Sequence, residues 1–391
     1  MGTVLLAALV FLGQGSFVVD TNNSGEGKEL VLIENLRIGP NSDEEHGIWP
    51  GPYLSFEVNK NGHIFIVDDQ ENRILEFNDN GEYLRQFGGR GEGPGEFQGL
   101  NRFQFLNDET ALAFESQGPV GSLTTYDQNL EFVGKRILSV EFNPTILVFS
   151  PDGKTRWCRY TRGIPEKRVM VKGVGLLNEK DELILDLFQD EVAMFNPQRA
   201  FEPDFWSEFI ASQLKADYNG FRSYGTFDSK GNFYSAIGHS YKVIRWEPDL
   251  KKDLEIKVTY KPIFRSDEEM MEAVTPIKDQ LDAQLPQNMF DVITDGVIKK
   301  AIKLSEYTIT KPPVFGLTVM EDGAMIVVHD VNALTGNESG DIFDAKGQFI
   351  GRIKNSHRGL QAMVFKNGQA YTIELNEDDE QEFVRYTISW K

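Results

Sequence analysis

A short repeat constrains the fold of this chain more than any other feature of its sequence. It is clearest at Asn59–Phe97, where the dipeptides Asn61-Gly62 and Asn80-Gly81 interrupt a stretch rich in β-branched and aromatic residues. Asn-Gly is a strong signal for a tight turn between two antiparallel strands. The runs His63–Val67 and Arg73–Phe77 have the composition and spacing of strands. The stretch therefore predicts a meander of short antiparallel strands.

Similar units follow downstream. Clear copies begin at Asp228, Glu321 and Lys366, and weaker copies begin near Asn107 and at Ser150. With the first unit, these five copies make about six repeats. That number lies in the usual range for a β-propeller, in which four-stranded sheets, the blades, stand around a central channel. The sequence therefore predicts an all-β fold, a six-bladed β-propeller.

The two ends of the repeat region predict how the ring closes. The last unit contains Met363–Lys366, Gln369–Glu374 and Glu382–Trp390, so its sheet lacks an outer strand. The β-rich run Glu29–Ile38 stands before the first unit. Pairing this run with the last blade would complete the sheet and cover an exposed edge. The alternative is a separate N-terminal strand.

Composition narrows the classes of partner. The formal net charge of -20 argues against nucleic acid and anionic membrane surfaces, because both require clustered Lys and Arg. The single cysteine, Cys158, excludes a disulfide framework and a cysteine-based zinc site. It lies in a strand-like run, which predicts a buried structural thiol. We expect residues 29–391 to form one domain, a monomer.

The N-terminal residues indicate export. Val4–Leu12 is an apolar run that is too short to span a bilayer but has the length of the core of a secretory signal. We therefore expect a signal peptide at residues 1–19, a flexible lead at 20–28, no transmembrane segment, and a periplasmic or secreted protein. No Lys or Arg precedes the run, and the cleavage pattern is only Gly13-Gln14-Gly15.

Two segments interrupt the repeat, and the first is aromatic. Gln189–Tyr224 contains Trp206 and several Phe and Tyr residues, and Asp204–Leu214 could form a turn or two of amphipathic helix. One interpretation is a flap packed on the edge of the propeller. The other is an aromatic wall over a ligand cleft, since large apolar pockets are common binding sites.

The second interruption, Ser266–Lys303, predicts helices. Ser266 and Glu269 have the spacing of a capping box, and apolar residues follow at near-helical intervals. Pro276 and Pro286 are expected to kink or divide the segment, and Met289–Leu304 to form a second helix. The insertion should emerge on one face of the ring before the fifth blade, where it is either ordinary packing, a lid or a docking surface.

The candidate site follows from the alignment of the blades. His239, His329-Asp330, Asp68-Asp69 and Glu374 fall at the end of the second strand or in the turn after it, and these turns gather on one face around the channel. Arg90 stands in a glycine-rich turn between blades that lacks the lysine of a phosphate loop. The predicted ligand-binding residues are Asp68, Asp69, Arg90, Trp206, His239, Tyr241, His329, Asp330 and Glu374.

The same residues suggest a metal site. His239, His329 and Asp330 are ligand types that could hold a divalent cation such as calcium. The alternative is structural, because aspartates at strand ends commonly accept hydrogen bonds from nearby backbone groups.

Four stretches of the first unit resemble the NHL repeat. They are Val67–Asp69, Asn72–Ile74, Asn80–Gly88 and Gly93–Phe97. The chain as a whole is similar to exported bacterial six-bladed propellers of this type. The resemblance implies a six-bladed ring with a helical excursion before a late blade, similar to Ser266–Lys303.

Two classes of function remain open. The first is a noncatalytic binding or scaffold protein that uses the channel face and the insertions to hold a protein partner or a small polar ligand. The alternative is a metal-dependent enzyme similar to six-bladed lactonases or to the NHL-type amidating lyase. The lactonase pattern offers no motif specific enough to transfer here, and the lyase pattern needs more histidines than His239 and His329. We assign no catalytic residue and favour binding.

Overall fold

A computed structural model describes most of the chain beyond its first residues. The described residues are 16–19, 27–39, 55–107, 110–117, 120–217, 223–237, 240–272, 274–305, 310–331, 337–357, 359–376 and 380–391. His239 lies outside them, and the side chain of Asp330 is not described. Among these residues, no helix has the length and apolar character needed to cross a membrane.

Four antiparallel meanders follow one another along the chain. Sheet 1 contains β3 (Ser55–Val58), β4 (Ile64–Asp68), β5 (Arg73–Phe77) and β6 (Tyr83–Gly88). Sheet 2 contains β7 (Leu100–Leu106), β8 (Thr110–Gln117), β9 (Val120–Tyr126) and β10 (Phe132–Ile137). Sheet 3 contains β11 (Asn143–Phe149), β12 (Arg156–Ile164), β13 (Val169–Leu177) and β14 (Leu183–Ala193). Sheet 4 contains β15 (Tyr224–Phe227), β16 (Phe233–Ala236), β17 (Lys242–Trp246) and β18 (Lys252–Val258), and β1 (Ser16–Val19) pairs in parallel with β18.

The remaining strands form one eight-stranded sheet. One half is the meander β19 (Gly316–Val319), β20 (Met325–Val331), β21 (Glu338–Phe343) and β22 (Phe349–His357). The other half is β23 (Val364–Lys366), β24 (Gln369–Leu375), β25 (Gln381–Trp390) and the N-terminal β2 (Lys28–Ile38). The halves join where β2 pairs in parallel with β22, through Lys28 opposite Gly351 and Glu29 opposite Arg352.

The expected pairing of the N-terminal strand with the last strand is present. β2 runs antiparallel to β25 from Leu30, opposite Trp390, to Ile38, opposite Phe383. It begins at Lys28, one residue earlier than the sequence predicted. The fully buried side chains of this half-sheet include Ile38 and Phe383. Burial of these apolar side chains favours the pairing.

The hairpin turns form where the sequence predicted them. Gly62 and Gly81 have φ of 83° and 82°, a left-handed conformation that glycine adopts without steric cost. The side chain of Asn59 accepts hydrogen bonds from the backbone N–H groups of Asn61 and His63, which closes the first turn. Between the turns, every residue of β4 is buried. Local turn chemistry and an apolar strand thus agree in the first repeat.

The first interruption contains a longer helix than expected. Strand β14 continues to Ala193, so the interruption begins at 194 rather than at Gln189. After a short 3-10 helix at Pro197–Arg199, α1 (Pro203–Ala216) spans 14 residues instead of one or two turns. Pro203 stands at the start of α1, where a missing backbone N–H costs nothing.

The second interruption is helical, as predicted. It contains α2 (Asp267–Glu272), α3 (Thr275–Gln284), α4 (Gln287–Phe290) and α5 (Asp295–Ser305). The capping box is confirmed, because Ser266 N donates to Glu269 Oε2 over 2.8 Å and Glu269 N donates to Ser266 Oγ over 3.2 Å. Pro276 lies in the first turn of α3, and Pro286 precedes α4. The last helix begins at Asp295 rather than at Met289, since the chain turns after α4.

The two interruptions pack against each other. We refer to α1–α5 (203–216 and 267–305) as the helical cluster. Its core joins Trp206 and Ile210 of α1 to Val297 and Ala301 of α5, all nearly inaccessible to solvent. Ser207 Oγ also donates to the backbone oxygen of Val297 over 3.3 Å. Helices from distant parts of the sequence therefore share one hydrophobic core.

The order of strands sorts the loops into two groups. In an antiparallel meander, the turn between the second and third strands lies at the same end as the connection to the next sheet. We call this end the insertion face, because the segments that carry the helical cluster lead from β14 to β15 and from β18 to β19. The turns that follow β4, β16 and β20 lie on the same face. Asp69 and Tyr241 belong to these turns, and Asp68 is the last residue of β4.

Candidate functional site

A cavity of about 420 Å³ opens on the insertion face between sheet 4 and strands β20–β22. Residues 259–263 and 311–315, the two stems of the second insertion, form part of its wall. The stems are held together by a bridge between Phe264 and Thr310 and by a hydrogen bond from Lys311 N to the backbone oxygen of Ile263. We call this space the stem cavity. It includes two of the predicted residues, Tyr241 and His329.

A buried carboxylate organises the wall of the stem cavity. Asp341, on β21, is 2% exposed and accepts a hydrogen bond from the Tyr241 hydroxyl over 2.7 Å. Its second oxygen accepts from Nε of Arg352 over 2.9 Å. His329 Nε2 lies 3.6 Å from that oxygen, and the His329 and Tyr241 rings are 6.0 Å apart. Asp341 therefore positions two predicted residues and one that the sequence analysis missed.

The protonation of this network follows from its contacts. Burial alone would raise the pKa of Asp341, but His329, Tyr241 and Arg352 hold the pKa below its usual value. Burial and the neighbouring Asp341 raise the pKa of Tyr241 well above its usual value. Asp341 is thus an anion and Tyr241 a neutral donor near neutral pH. Both oxygens of the carboxylate already have donors.

Cationic side chains surround the rest of the stem cavity. Arg352, Lys261, Lys311 and Lys354 all line it. Lys311 forms an ion pair with Glu269 of α2 over 2.6 Å. Lys261 and Lys354 are exposed and make no ion pair within the described part of the chain. A chain with a formal charge of -20 thus has a local excess of positive charge here, which is suited to an anionic group.

A second cavity follows the axis of the sheets. Its volume is about 650 Å³, and the first strand of every four-stranded unit contributes to its wall: β3, β7, β11, β15, β19 and β23. We call this space the axial channel. It lies along the strands, whereas the stem cavity lies between two meanders at the insertion face.

Three predicted residues meet in sheet 1, away from the stem cavity. Asp68 is fully buried and bonded to Nε of Arg73 over 2.9 Å. Arg90 donates to the backbone oxygen of Gln70 over 2.9 Å, which ties the glycine-rich turn to the turn after β4. Burial and the adjacent Asp68 raise the pKa of Asp69, whose Oδ1 is buried without a hydrogen-bond partner among the described residues. Asp68 also accepts from the backbone N–H of Glu71 over 3.1 Å, which is the kind of bond that the structural alternative for strand-end aspartates expected.

Trp206 and Glu374 lie elsewhere. Trp206 is fully buried in α1 and donates from its ring nitrogen to the backbone oxygen of Ala200 over 2.8 Å. Its ring belongs to the core of the helical cluster rather than to a surface cleft, because α1 turns this side toward α5. Glu374 accepts from the Tyr386 hydroxyl and lies 3.6 Å from Arg37 in the half-sheet completed by β2.

The metal site stays a prediction. Among the described residues, no three His, Cys, Asp or Glu side chains are placed to hold a metal ion together. Two of the three candidates, His239 and the side chain of Asp330, are outside that description. The third, His329, faces Asp341 near Arg352.

The missed residues carried a weak signal in the sequence. Asp341 directly precedes the apolar residues Ile342 and Phe343 in β21, and Arg352 directly precedes Ile353 in β22. A charged residue at a position that a strand buries requires a partner. The sequence could not indicate which one, because Tyr241 precedes Asp341 by 100 residues.

Comparisons with known proteins agree with the propeller fold. A family model described as a 6-bladed beta-propeller matches residues 57–172. No curated protein matches the chain. The chain is thus similar to propellers over its first described sheets, while the finer assignment to the NHL type stays a prediction.

Similar solved structures extend over most of the chain at low identity. An exported protein of Bacteroides fragilis is 12% identical, with 96% of this chain and 99% of that chain covered and a TM-score of 0.48. A DUF4221 family member from Bacteroides vulgatus is 9% identical, with 93% and 99% covered and a TM-score of 0.49. Virginiamycin B lyase from Staphylococcus aureus is 10% identical, with 92% and 99% covered and a TM-score of 0.41. At these values, none of the three carries an argument about activity.

Proposed function

We propose that this chain is an exported six-bladed β-propeller that binds a small organic anion in the stem cavity and catalyses no reaction. The observation that carries the proposal is the charge of the cavity wall. Arg352, Lys261 and Lys354 line a space of about 420 Å³ beside Asp341, whose oxygens are already engaged. An anion with two or more acceptor oxygens would accept hydrogen bonds from Lys261 and Lys354, and the charge of Arg352 would add to the attraction.

Six blades are supported by the strand order. The two halves of the eight-stranded sheet each have four strands, and with sheets 1–4 they make six units. The first strands of all six units line the axial channel. In this count β2 is the outer strand of the sixth blade, and the helical insertion precedes the fifth.

Charge favours an anion over a metal ion at this site. A divalent cation beside His329 would be close to Arg352 and to the two unpaired lysines of the stem cavity. It would also compete with Tyr241 and Arg352 for Asp341. The repulsion by these positive charges and the competition for Asp341 both oppose cation binding. We therefore favour anion binding, and the experiments below also test for the metal-dependent enzyme.

The size and position of the cavity suit a small ligand. A volume of 300 to 1,000 Å³ is about the range of small-molecule sites. Apolar side chains of the stems, Ile263, Pro312 and Phe315, would contact the uncharged part of the ligand. Because the stems also carry the helical cluster, a ligand held between them would couple to the position of the helices.

Calorimetric titration of the mature protein tests the proposal. The probes are citrate, glucose 6-phosphate and, as the uncharged control, glucose, in a buffer of low ionic strength. We expect at least one of the two anions to bind, glucose not to bind, and the affinity to fall as salt is added, because the lysines are exposed.

Variants locate the site. Lys261→Gln combined with Lys354→Gln should weaken anion binding by about tenfold, the size of one charge-assisted hydrogen bond. Lys230→Gln combined with Lys251→Gln is the matched control, since both lysines lie in exposed turns at the opposite end of sheet 4. Equal affinities in the two double variants would overturn the site. A calcium-dependent rise in melting temperature that disappears in His329→Ala would favour the metal-dependent alternative.

A further inference from the structure

The wall of the axial channel contains both polar and apolar side chains. Its partly exposed apolar side chains include Phe56, Phe105 and Phe227, and its volume is about 650 Å³. This volume is large enough for a ligand with an aromatic or aliphatic body. Aromatic side chains offer such a body a polarisable surface.

Two polar side chains of the channel wall already have hydrogen-bond partners. Gln104 donates to the backbone oxygen of Phe149 over 2.8 Å and accepts from the backbone N–H of the same residue over 3.1 Å. Thr318 donates to the backbone oxygen of Met363 over 2.6 Å. These bonds join neighbouring first strands, so the two side chains maintain the channel and are not available to a ligand.

Arg102 is different. It lies on β7, lines the channel, and its Nε is buried without a hydrogen-bond partner among the described residues. Burial lowers the pKa of Arg102, while the nearby Glu57 opposes that shift. A guanidinium group in such surroundings usually pairs with a carboxylate. No carboxylate of the described residues forms an ion pair with it.

The one carboxylate carried by a first strand has another partner. Glu57 Oε1, on β3, lies 3.5 Å from Nζ of Lys366 on β23. The first strands therefore place two cations, Arg102 and Lys366, and one anion, Glu57, in the channel wall. With all three ionised, one positive charge is left without a counter-charge.

The remaining charged residues of the wall belong to turns at one mouth of the channel. Asp228 accepts from the backbone of its own turn and from the Tyr234 hydroxyl. Glu321 accepts from the backbone N–H of Gly368 over 3.2 Å. Lys60 is exposed in the turn after β3. These groups surround the mouth, whereas Arg102 stands four residues before the end of its strand.

We propose that the axial channel is a second binding site, for ligands that join one carboxylate to an apolar body, and that Arg102 binds the carboxylate. The guanidinium fork matches a carboxylate in shape, and a single negative charge balances the charge of the first strands. The aromatic wall takes the apolar part. This site is separate from the stem cavity, shares no lining residue with it, and does not depend on the proposed function there.

A pair of probes that differ only in charge tests the site. The probes are 4-phenylbutyrate and its neutral amide, 4-phenylbutyramide, titrated calorimetrically into the full chain at neutral pH. We expect the carboxylate to bind at least about tenfold more tightly than the amide, because only the carboxylate pairs with Arg102. Equal affinities for the two probes would overturn the proposal.

Two substitutions, one that removes a positive charge from the channel wall and one that removes a negative charge, test whether Arg102 binds the carboxylate. Arg102→Met should reduce the affinity for phenylbutyrate to that for the amide, and the affinity for the amide should not change. Glu57→Gln should tighten phenylbutyrate binding severalfold, because it removes the negative charge of Glu57 from the channel wall. Arg102→Met is expected to fold, since Nε of Arg102 leaves no partner behind. Arg162→Gln, an exposed arginine on β12, is the matched control.

The result also separates this site from the stem cavity. The double variant Lys261→Gln and Lys354→Gln should bind phenylbutyrate as the wild type does. If Arg102→Met binds phenylbutyrate normally while the lysine variant does not, the ligand occupies the stem cavity and the channel proposal is wrong. If Glu57→Gln weakens binding, the negative charge of Glu57 does not oppose the carboxylate of the ligand, which also contradicts the proposal.

Discussion

Sheet 1 and the helical cluster both bury apolar side chains, but the residues in contact are separated by very different distances along the sequence. In sheet 1, Asp68 and Arg73 are five residues apart and pair across a single turn. In the helical cluster, Ser207 of α1 bonds to Val297 of α5, 90 residues downstream. The sheet therefore forms from its own segment, whereas the cluster requires two segments to meet.

The difference concerns stability as well as assembly. Contacts between neighbouring strands hold each sheet, and every sheet contributes residues to the wall of the axial channel. The helical cluster is attached through its stems and through contacts of α1 with β14, such as the bond from Ala193 N to Ser212 Oγ. Regions attached in this way often open as separate units. We therefore expect the cluster to unfold locally while the sheets stay folded.

The largest expected effect on stability follows from a large-to-small substitution in the core of the helical cluster. Trp206→Ala removes a fully buried ring that packs 5.2 Å from Phe205 and 5.8 Å from Phe209 between ring centroids. Loss of such a ring costs about 3–5 kcal/mol. Hydrogen exchange should lose protection in α1 and α5 and keep it in sheets 1–4.

The single cysteine supplies a matched control from a sheet. Cys158 is fully buried in sheet 3, and burial raises the pKa of its thiol to about 12, so thiol reagents reach it only when the sheet opens. Leu147→Ala, in the same core cluster, should cost about 2–5 kcal/mol and accelerate labelling by at least about thirtyfold. Trp206→Ala should leave the labelling rate unchanged. Faster labelling in Trp206→Ala would show that the two regions unfold together.

The same contrast explains what the sequence could predict. Turns at Asn61-Gly62 and Asn80-Gly81, the capping box at Ser266 and the buried Cys158 were all predicted correctly, because each depends on residues a few positions apart. The joint core of α1 and α5 was not predicted. Amphipathic patterns indicate that a helix has a buried face but not which element covers it.

The candidate site was predicted in part for the same reason. His329 was found from its position at a strand end, Tyr241 was among the predicted ligand-binding residues, and both line the stem cavity. Arg352 and Asp341 were missed, since their importance depends on pairing across strands. Trp206 was chosen for its aromatic ring, yet aromatic rings more often fill cores, and this one does.

An intermediate effect on the unfolding free energy is expected where the N-terminal strand β2 pairs with β22. A Cβ atom on Gly351 would lie 2.1 Å from the backbone oxygen of Lys28, so Gly351→Ala must displace β2 from β22. Overpacking of this kind costs about 1–3 kcal/mol. Because the site lies in the eight-stranded sheet, the loss should appear in the global unfolding free energy, measured by denaturant titration.

Gly134→Ala is the control for this substitution. Gly134 lies on β10, and an added Cβ would meet no atom within 4 Å. We expect its unfolding free energy to equal that of the wild type. If the unfolding free energy of Gly351→Ala also equals that of the wild type, the pairing of β2 with β22 does not contribute to stability. The two halves of the eight-stranded sheet would then be weakly coupled, as we expect for the helical cluster and the sheets.

The smallest expected effect lies on the surface of the helical cluster. Lys300 Nζ forms an ion pair with Asp204 over 2.7 Å, but both side chains are at least half exposed. Water and salt screen such pairs, so Lys300→Gln should leave the hydrogen exchange of α1 and α5 unchanged within error. Lys303→Gln, an exposed lysine on the same helix, is the control.

The pH dependence of this pair has a defined sign. The hydrogen bond and charge of Lys300 lower the pKa of Asp204, so any stabilisation by the pair is present above the unfolded pKa of aspartate and is lost as the pH falls through the lowered value. The full difference between wild type and Lys300→Gln is therefore expected only above about pH 4, and the difference shrinks as the pH falls below that value. A clear difference at neutral pH would mean that charge, and not only the Trp206 core, joins α1 to α5. The helical cluster would then be held by an electrostatic link between α1 and α5 in addition to its apolar core, whereas sheet 1 would still depend on contacts within its own segment.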